Sequence, residues 1–420
     1  MIKRNITGKY SEPYNFVLSK YEFRFNVILS RFQYRRLNKG KVIKNSPWLF
    51  YDDRVKESIL FEILENDFSL GEKYLKTLIE SEKISEDYNP FLEYFDDLKP
   101  WDEKTDYISQ LAKTVKTDND ERFPYVLKKF LVGSVDCLLK EDNVNDVCLV
   151  FQSHDQGVGK SRWMRRLLPE RFQKQYLYEG SINTKNNDHT KYLSEFWFIH
   201  LDELEALTSN EIAAIKSYIT RQRISLRSAY GRYKSNYIRR ASFLGSVNDD
   251  KFLTDTTGNR RWLVFKTLRI NYNHNIDIDG LWSQVYHYWL NGFRHWFNID
   301  EIKDINKQNE KFRDISLEEE IVLKNFYFPN ESDPKGEWMS TSDVLSKIGE
   351  VSPKLLQKMR PNVIGRALTF HCSDGLKKRK QGVSKYWVKF VGVISESSMN
   401  VFTDNPTGKP DLKENDDLPF

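Results

Sequence analysis

The densest chemical signal in the chain is Gln152-Ser-His-Asp-Gln-Gly-Val-Gly-Lys-Ser161. In the segment Gln156-Gly157-Val158-Gly159 the two glycines permit backbone geometries that turn N–H groups inward onto a phosphate. Lys160 then supplies a flexible cation for terminal phosphates, and Ser161 a hydroxyl that can ligate magnesium. His154 stands where the usual pattern has a glycine, so a side chain must be accommodated at the loop entrance. Two carboxylates, Asp202 and Glu203, follow an apolar run. Asp202 suits a magnesium ligand held partly through water, and Glu203 suits the group that orients and polarises an attacking water. Read alone, the pair would only end a strand and cap the next helix. Asn248 closes a third apolar run and either hydrogen-bonds a γ-phosphate or water or forms the turn Asn248-Asp-Asp250. Beyond it, Arg260 and Arg261 follow the flexible Gly258-Asn259 pair, where they could reach into a neighbouring subunit's site or serve as ordinary surface charge.

These groups need a sheet to bring them together. Apolar strand candidates at 148–151, 196–201 and 242–247 are separated by helical stretches, an alternation that predicts an α/β fold with a parallel sheet covered by helices. Upstream, 21–29 alternates like a half-buried strand and 53–83 is patterned as helix. Two prolines and an acidic cluster near 87–102 mark a junction. The expected organisation is an N-terminal α+β accessory domain over 1–118 and a nucleotide-binding domain over 119–300. A solvated, charged connecting helix over 301–330 leads to a block of short helices and a basic hairpin over 331–394, the pattern of a winged helix. An acidic, disordered tail over 395–420 ends the chain.

At 420 residues, 39% of them hydrophobic, the chain has material for more than one core. Its three cysteines form no CxxC pair, which argues against a disulfide framework or a zinc site. No apolar run approaches a membrane span, so no membrane partner is expected and the cytoplasm is the expected location. The net charge of +5 says little, but its distribution says more. Residues 216–240 hold eight basic side chains and no acidic one, including Lys216, Arg232, Lys234, Arg239 and Arg240, and residues 371–389 hold six against Asp374, among them Lys377, Lys378, Arg379 and Lys380. The interleaved Tyr218, Tyr230, Tyr233, Tyr237, Tyr386 and Trp387 would offer stacking surfaces to a nucleic acid. Two solvated surfaces are the plainer reading. Asp277-Ile-Asp279 reads as surface, and no carboxylate pair in the N-terminal region suggests primase chemistry.

The succession Gln156-Gly-Val-Gly-Lys-Ser161, Phe198-Ile-His-Leu-Asp-Glu203, Arg227-Ser-Ala-Tyr-Gly-Arg232, Ser246-Val-Asn248 and Thr257-Gly-Asn-Arg-Arg-Trp262 resembles the virulence-associated protein E family, over roughly residues 89–265. That family belongs to the superfamily 3 helicase-like ATPases of phages, plasmids and genomic islands. The resemblance implies an AAA+-like P-loop core with Lys160 and Ser161 in Walker A and Asp202 and Glu203 in Walker B. It makes Asn248 the sensor and Arg260 or Arg261 an arginine finger. A basic pore hairpin would then bear Lys234 as a DNA contact. His154 departs from the family glycine, which bears on nucleotide affinity. The implied activity is an ATP-dependent DNA helicase or translocase of a mobile element's replication system, using ATP and Mg2+. It would work as a hexameric ring with single-stranded DNA in its pore and duplex at the winged helix, beside a separate primase or initiator chain. The competing reading is a DNA-binding initiator or regulator that uses ATP as an assembly switch without unwinding.

Overall fold

Tyr21, Phe23 and Phe25 alternate along one strand and face Arg36, Tyr34 and Phe32 on the next in the structure, a computed structural model. It describes residues 7–38, 40–43, 46–227, 234–253, 259–330, 335–357 and 359–392. After α1 (Ser11–Lys20), β1 (Tyr21–Asn26) pairs antiparallel with β2 (Arg31–Asn38). The short β3 (Lys41–Val42) and β4 (Leu49–Phe50) add to β2, and β5 (Glu86–Tyr88) adds parallel to β1. Tyr21, Phe23 and Val17 meet Ile59, Ile63, Leu75 and Leu78 from α2 (Asp53–Glu65) and α3 (Glu72–Ile79) in a separate small core. The helical pattern expected over 53–83 is thus two helices. Their break coincides with the αL residue Asp67 and with Gly71, which precedes α3.

Residues 90–117 belong with the main sheet and its core. Phe91, Tyr94 and Phe95 of α4 (Pro90–Asp97) and Ile108 and Leu111 of α5 (Tyr107–Ala112) pack into the large core, and β6 (Val115–Thr117) joins the main sheet. A domain start at 119 would cut through that core. The amphipathic α6 (Phe123–Leu139) precedes β7 (Cys148–Gln152), which runs into α7 (Lys160–Arg165) and α8 (Glu170–Tyr176). Next come β8 (Leu177–Glu179), α9 (Asn187–Glu195), β9 (Phe198–Leu201) and α10 (Ser209–Ile219). A two-stranded antiparallel hairpin, β10 (Arg223–Arg227) and β11 (Lys234–Ile238), stands outside the main sheet. β12 (Ser242–Val247) and β13 (Trp262–Ile270) complete the sheet in the order β6-β13-β7-β12-β9-β8. Five strands are parallel and the edge strand β6 is antiparallel. β7 and β12 are buried throughout, as expected where helices cover both faces. α11 (Ile278–Leu290) and α12 (Ile299–Asn309) close this unit, which comprises residues 1–252 and 260–311. Asp277 caps α11 and Asp279 accepts the Tyr94 hydroxyl at 2.8 Å.

The second unit holds residues 253–259 and 312–420. Its first helix, α13 (Leu317–Asn325), corrects the expectation of one solvated connecting helix: the chain leaves α12 through a 3₁₀ turn, and α13 starts anew at the Ser316 cap. Glu318, Glu319, Ile321 and Val322 are buried. The charge that looked solvated is neutralised internally, since Arg313 meets Glu319 at 2.6 Å and Arg360 meets Glu318 at 2.8 Å. β14 (Phe326–Tyr327), β15 (Glu337–Ser340), α14 (Thr341–Val351), α15 (Pro353–Leu356) and α16 (Pro361–His371) come next. The hairpin of β16 (Lys377–Lys380) and β17 (Val383–Phe390) turns at Gln381-Gly382, both at positive φ as a tight two-residue loop requires. Ile348, Ile364, Leu368 and Val388 form its core. The stretch 393–420, expected to be a tail, lies outside the described residues.

Candidate functional site

At the carboxyl end of β7 the chain turns through residues 153–159. Gly157 and Gly159 lie at φ +77° and +96°. Gly159 is constrained twice, because a Cβ there would also stand 2.2 Å from Cδ1 of Tyr272. This turn drives Lys160 inward to 8% exposure. Its Nζ donates to the Ser153 carbonyl at 3.0 Å, the Val247 carbonyl at 2.9 Å and Asn248 Oδ1 at 2.8 Å. Burial pulls the Lys160 pKa below that of an ordinary lysine, against the attraction of Glu205, Asp202 and Asp155. Ser161 is half-buried in the first turn of α7.

Asn248 lies beside Lys160 because β12 is the parallel neighbour of β7, with Val247 level with Gln152. A residue without a signal of its own in the sequence orients it. Glu205 Oε1 accepts from the Asn248 N–H at 3.0 Å and from its Nδ2 at 2.7 Å, which leaves Oδ1 for Lys160. Glu205 rides on a 3₁₀ turn, Leu204–Ala206. Gly245 lets that turn close on β12, since a Cβ at 245 would fall 2.7 Å from Leu204 Cδ1. Glu205 Oε2 is buried without a hydrogen-bond partner.

Asp202 and Glu203 are exposed at the end of β9. Asp202 accepts from the Ser246 hydroxyl, which also meets His200 Nε2 at 3.1 Å. Glu203 occupies the left-handed region, at φ 53° and ψ 48°, a conformation that costs a non-glycine residue about 1–2 kcal/mol. His154, the departure from the glycine pattern, has an exposed side chain that meets Asp250 at 2.7 Å, and Asp250 also meets Lys266 at 3.3 Å. Desolvation works against the Asp250 charge, yet His154 and Lys266 hold its carboxyl below the usual range.

Arg260 and Arg261 are not brought to Lys160. They precede β13, whose Trp262 is level with Cys148 at the start of β7, whereas the glycine loop leaves β7 after Gln152. The strand length alone separates them by roughly 13 Å. Arg260 is exposed and Arg261 half-buried, its pKa lowered by burial and then by Arg260.

The basic stretches need correction. Lys216, Arg239 and Arg240 are buried, so none of the three faces a nucleic acid. Arg239 donates to the Ala241 and Ile219 carbonyls and Arg240 to that of Leu138, which satisfies backbone acceptors around β12. Tyr218 and Tyr386 are likewise buried, not stacking surfaces. Arg232, Tyr230 and Tyr233 lie outside the described residues, as does the side chain of Lys234 at the start of β11. On β16, Lys378, Arg379 and Lys380 are exposed, and Lys377 is half-buried and paired with Asp374 at 2.8 Å. Lys378 also sits over Trp338 at 3.7 Å. Among the described residues no three His, Cys, Asp or Glu side chains gather as a metal centre, and no helix is long and apolar enough to cross a membrane.

No curated protein matches the chain. Among solved structures, it is similar to the apo C terminal region of NrS-1, at 13% identity and a TM-score of 0.43, covering 90% of this chain and 98% of that one. It is also similar to an A form of the same region at 13% identity and a TM-score of 0.41, covering 90% and 99%. The model of the virulence-associated protein E-like domain matches residues 95–314, more than half of the chain, from within α4 to beyond α12. That span contains the glycine loop, Asn248 and Glu205, and on this match the chain belongs to the virulence-associated protein E-like domain family.

Proposed function

We propose that the chain is a P-loop ATPase of superfamily 3 type that drives DNA unwinding or translocation in the replication of a mobile element. The observation that carries this reading is the junction of Lys160, Asn248 and Glu205 at the carboxyl ends of β7 and β12. β7 lies where the sheet reverses, with β12 on one side and β13 on the other, and ligands of parallel sheets bind outside the carboxyl ends at such a point. The loop suits a nucleotide: nothing lies within 4 Å of where a Gly157 Cβ would stand, and residues 154–157 are exposed. The orphaned Glu205 Oε2 marks a site with unfilled polar capacity.

In this reading residues 156–159 wrap the phosphates and Lys160 exchanges its three internal acceptors for phosphate oxygens. Ser161 and Asp202 hold magnesium, an ion that keeps several waters and needs few protein ligands. Bound with ATP, it neutralises charge developing on the phosphates. Glu203 aligns the attacking water and takes up its proton, its strained backbone being the kind of outlier that collects at functional sites. Asn248, aimed by Glu205, orients the terminal phosphate. Arg260 and Arg261, at the opposite end of the strands from their own loop, would serve a neighbour's site in a ring. The basic hairpin β10–β11 would follow single-stranded DNA in the pore. The second unit would be a winged helix on duplex, with α16 as its third helix and β16–β17 as its wing.

The test is complementation. Lys160→Ala should abolish ATP hydrolysis, and Arg260→Ala or Arg261→Ala should lower it by about 10³. Mixing exchanged subunits of the lysine and arginine variants should restore turnover. Absence of rescue by both arginine variants would refute the shared site, and full turnover in Lys160→Ala would refute the ATPase.

A further inference from the structure

The small N-terminal sheet carries a second basic and aromatic surface built from residues outside the glycine-loop site. β1 and β2 pair so that Glu22 faces Arg35, Arg24 faces Gln33 and Asn26 faces Arg31, which places the arginines on one face. Each sits over an aromatic ring. Arg24 lies 4.2 Å from Trp48 and 3.3 Å from Tyr88, Arg35 4.5 Å from Trp48, and Arg31 4.2 Å from Phe50. Arg24 also lines a cleft of about 170 Å³ with Gln33, Trp48, Tyr88, Glu93 and, from α8, Arg171.

The charges on this face do not balance. Arg35 pairs with Glu22 at 2.6 Å, but Arg24 approaches Glu93 only to 4.0 Å. Arg31 and Arg171 have neither an acidic partner nor a hydrogen bond among the described residues, although both are exposed. With Glu86, which β5 sets level with Arg24, four guanidinium groups face three carboxylates, and the face keeps a net positive charge. Arg24 donates from Nε to Gln33 at 2.8 Å, and stacking holds the rest of its fork in place. A cleft of this volume is smaller than the roughly 300 Å³ at which pockets begin to enclose a whole small ligand. It suits one group of a longer chain that continues over the sheet.

We propose that this face binds single-stranded nucleic acid, with one phosphate between Arg24 and Arg171 and the strand continuing over Arg31 and Arg35. Aromatic and guanidinium planes take unstacked bases, which a duplex does not offer. The proposal shares only its class of partner with the function proposed above, and depends neither on nucleotide hydrolysis nor on the basic hairpins.

The test is anisotropy of a labelled oligothymidylate with the full chain, with and without Arg31→Ala/Arg171→Ala. Both side chains are exposed, and an unchanged circular-dichroism melt checks the fold. Removing two phosphate-binding charges should lower the log–log salt slope by about 1.4, so that the drop in affinity between 50 and 200 mM salt becomes about sevenfold smaller. Arg31→Lys/Arg171→Lys should keep the slope, because the charges remain. Thiothymidine photo-crosslinks should map to the peptides containing Trp48 or Tyr88. An unchanged slope with crosslinks confined to 216–240 and 377–389 would overturn the proposal. So would displacement by polyglutamate at equal charge, which would mark the face as a site for acidic peptide. Hydrolysis without DNA should be the same in the variant, so failure here leaves the ATPase reading intact.

Discussion

Glu205 reaches Lys160 by hydrogen bonds through Asn248 and directly only by its charge, and these two contributions are separable. Glu205→Ala deletes the acceptor of two hydrogen bonds, at 3.0 and 2.7 Å, and leaves the Asn248 amide free to turn away from Lys160. Hydrogen bonds to a charged acceptor contribute about 1.5–3 kcal/mol when buried, but this site is only partly buried and water replaces some of the loss, so about 2 kcal/mol is expected in total. Glu205→Gln keeps a carbonyl oxygen at the same place and should cost less than about 1 kcal/mol, while removing the charge that opposes the lowering of the Lys160 pKa. Urea unfolding followed by tryptophan fluorescence reads mainly the first unit, which holds eight of the ten tryptophans. The decisive comparison is with Asn248→Ala. If Glu205 acts through Asn248, the double variant should lose about as much as the larger single loss, a coupling of about 1–2 kcal/mol. ATP affinity should fall in Glu205→Ala and less in Glu205→Gln. Additive losses, or equal destabilisation by Gln and Ala, would refute the positioning role.

Gly159→Ala should destabilise the first unit by about 2–4 kcal/mol, since it combines a left-handed φ with the overlap on Tyr272. Adding Tyr272→Ala should recover the overlap but not the backbone cost, and unfolding midpoints check this. In the second unit burial alone would raise the Glu319 pKa, yet the hydrogen bonds from His371 and Arg313 bring it down to about 2 from 4.5. A depressed carboxylate stabilises fully above its unfolded value, so about 3 kcal/mol should be lost as pH falls from near 4.5 through 2. Glu319→Gln should flatten that dependence, read from ¹⁹F-tryptophan signals of Trp338 and Trp387. On the β16–β17 hairpin Lys378 faces Lys385 directly, a like-charge pair that an anion would relieve. Glutamine at Lys378, Arg379 and Lys380 should lower the duplex salt slope by about 0.9 for each phosphate no longer neutralised, whereas an unchanged slope would make these charges solubilising only.

Periodicity and turn chemistry are local, and they were enough to place the strands ending near Gln152, Leu201 and Val247, the glycine loop with Lys160, and the Gln381-Gly382 hairpin. The long-range decisions were not legible. β6 and β13 pair across the interior of the chain, so the core begins near residue 90 and not at 119. Charge counted along the sequence does not say which way a side chain points. Lys216, Arg239 and Arg240 are buried among backbone carbonyls or core, and Glu318 and Glu319 against arginines, because packing offers them partners that no window of neighbours contains. Glu205 and Tyr272 are the clearest cases. Neither belongs to a motif, and each matters only because the fold of β12 and the return of the chain after β13 set it against Asn248 or Gly159. Sequence alone singled out the residues proposed to hold a phosphate, since that reading depends on residue type and short spacing. Tertiary structure decided what orients them, and which of the basic residues remain free to meet a partner, because hydrogen-bond direction and burial are set by residues distant in the chain.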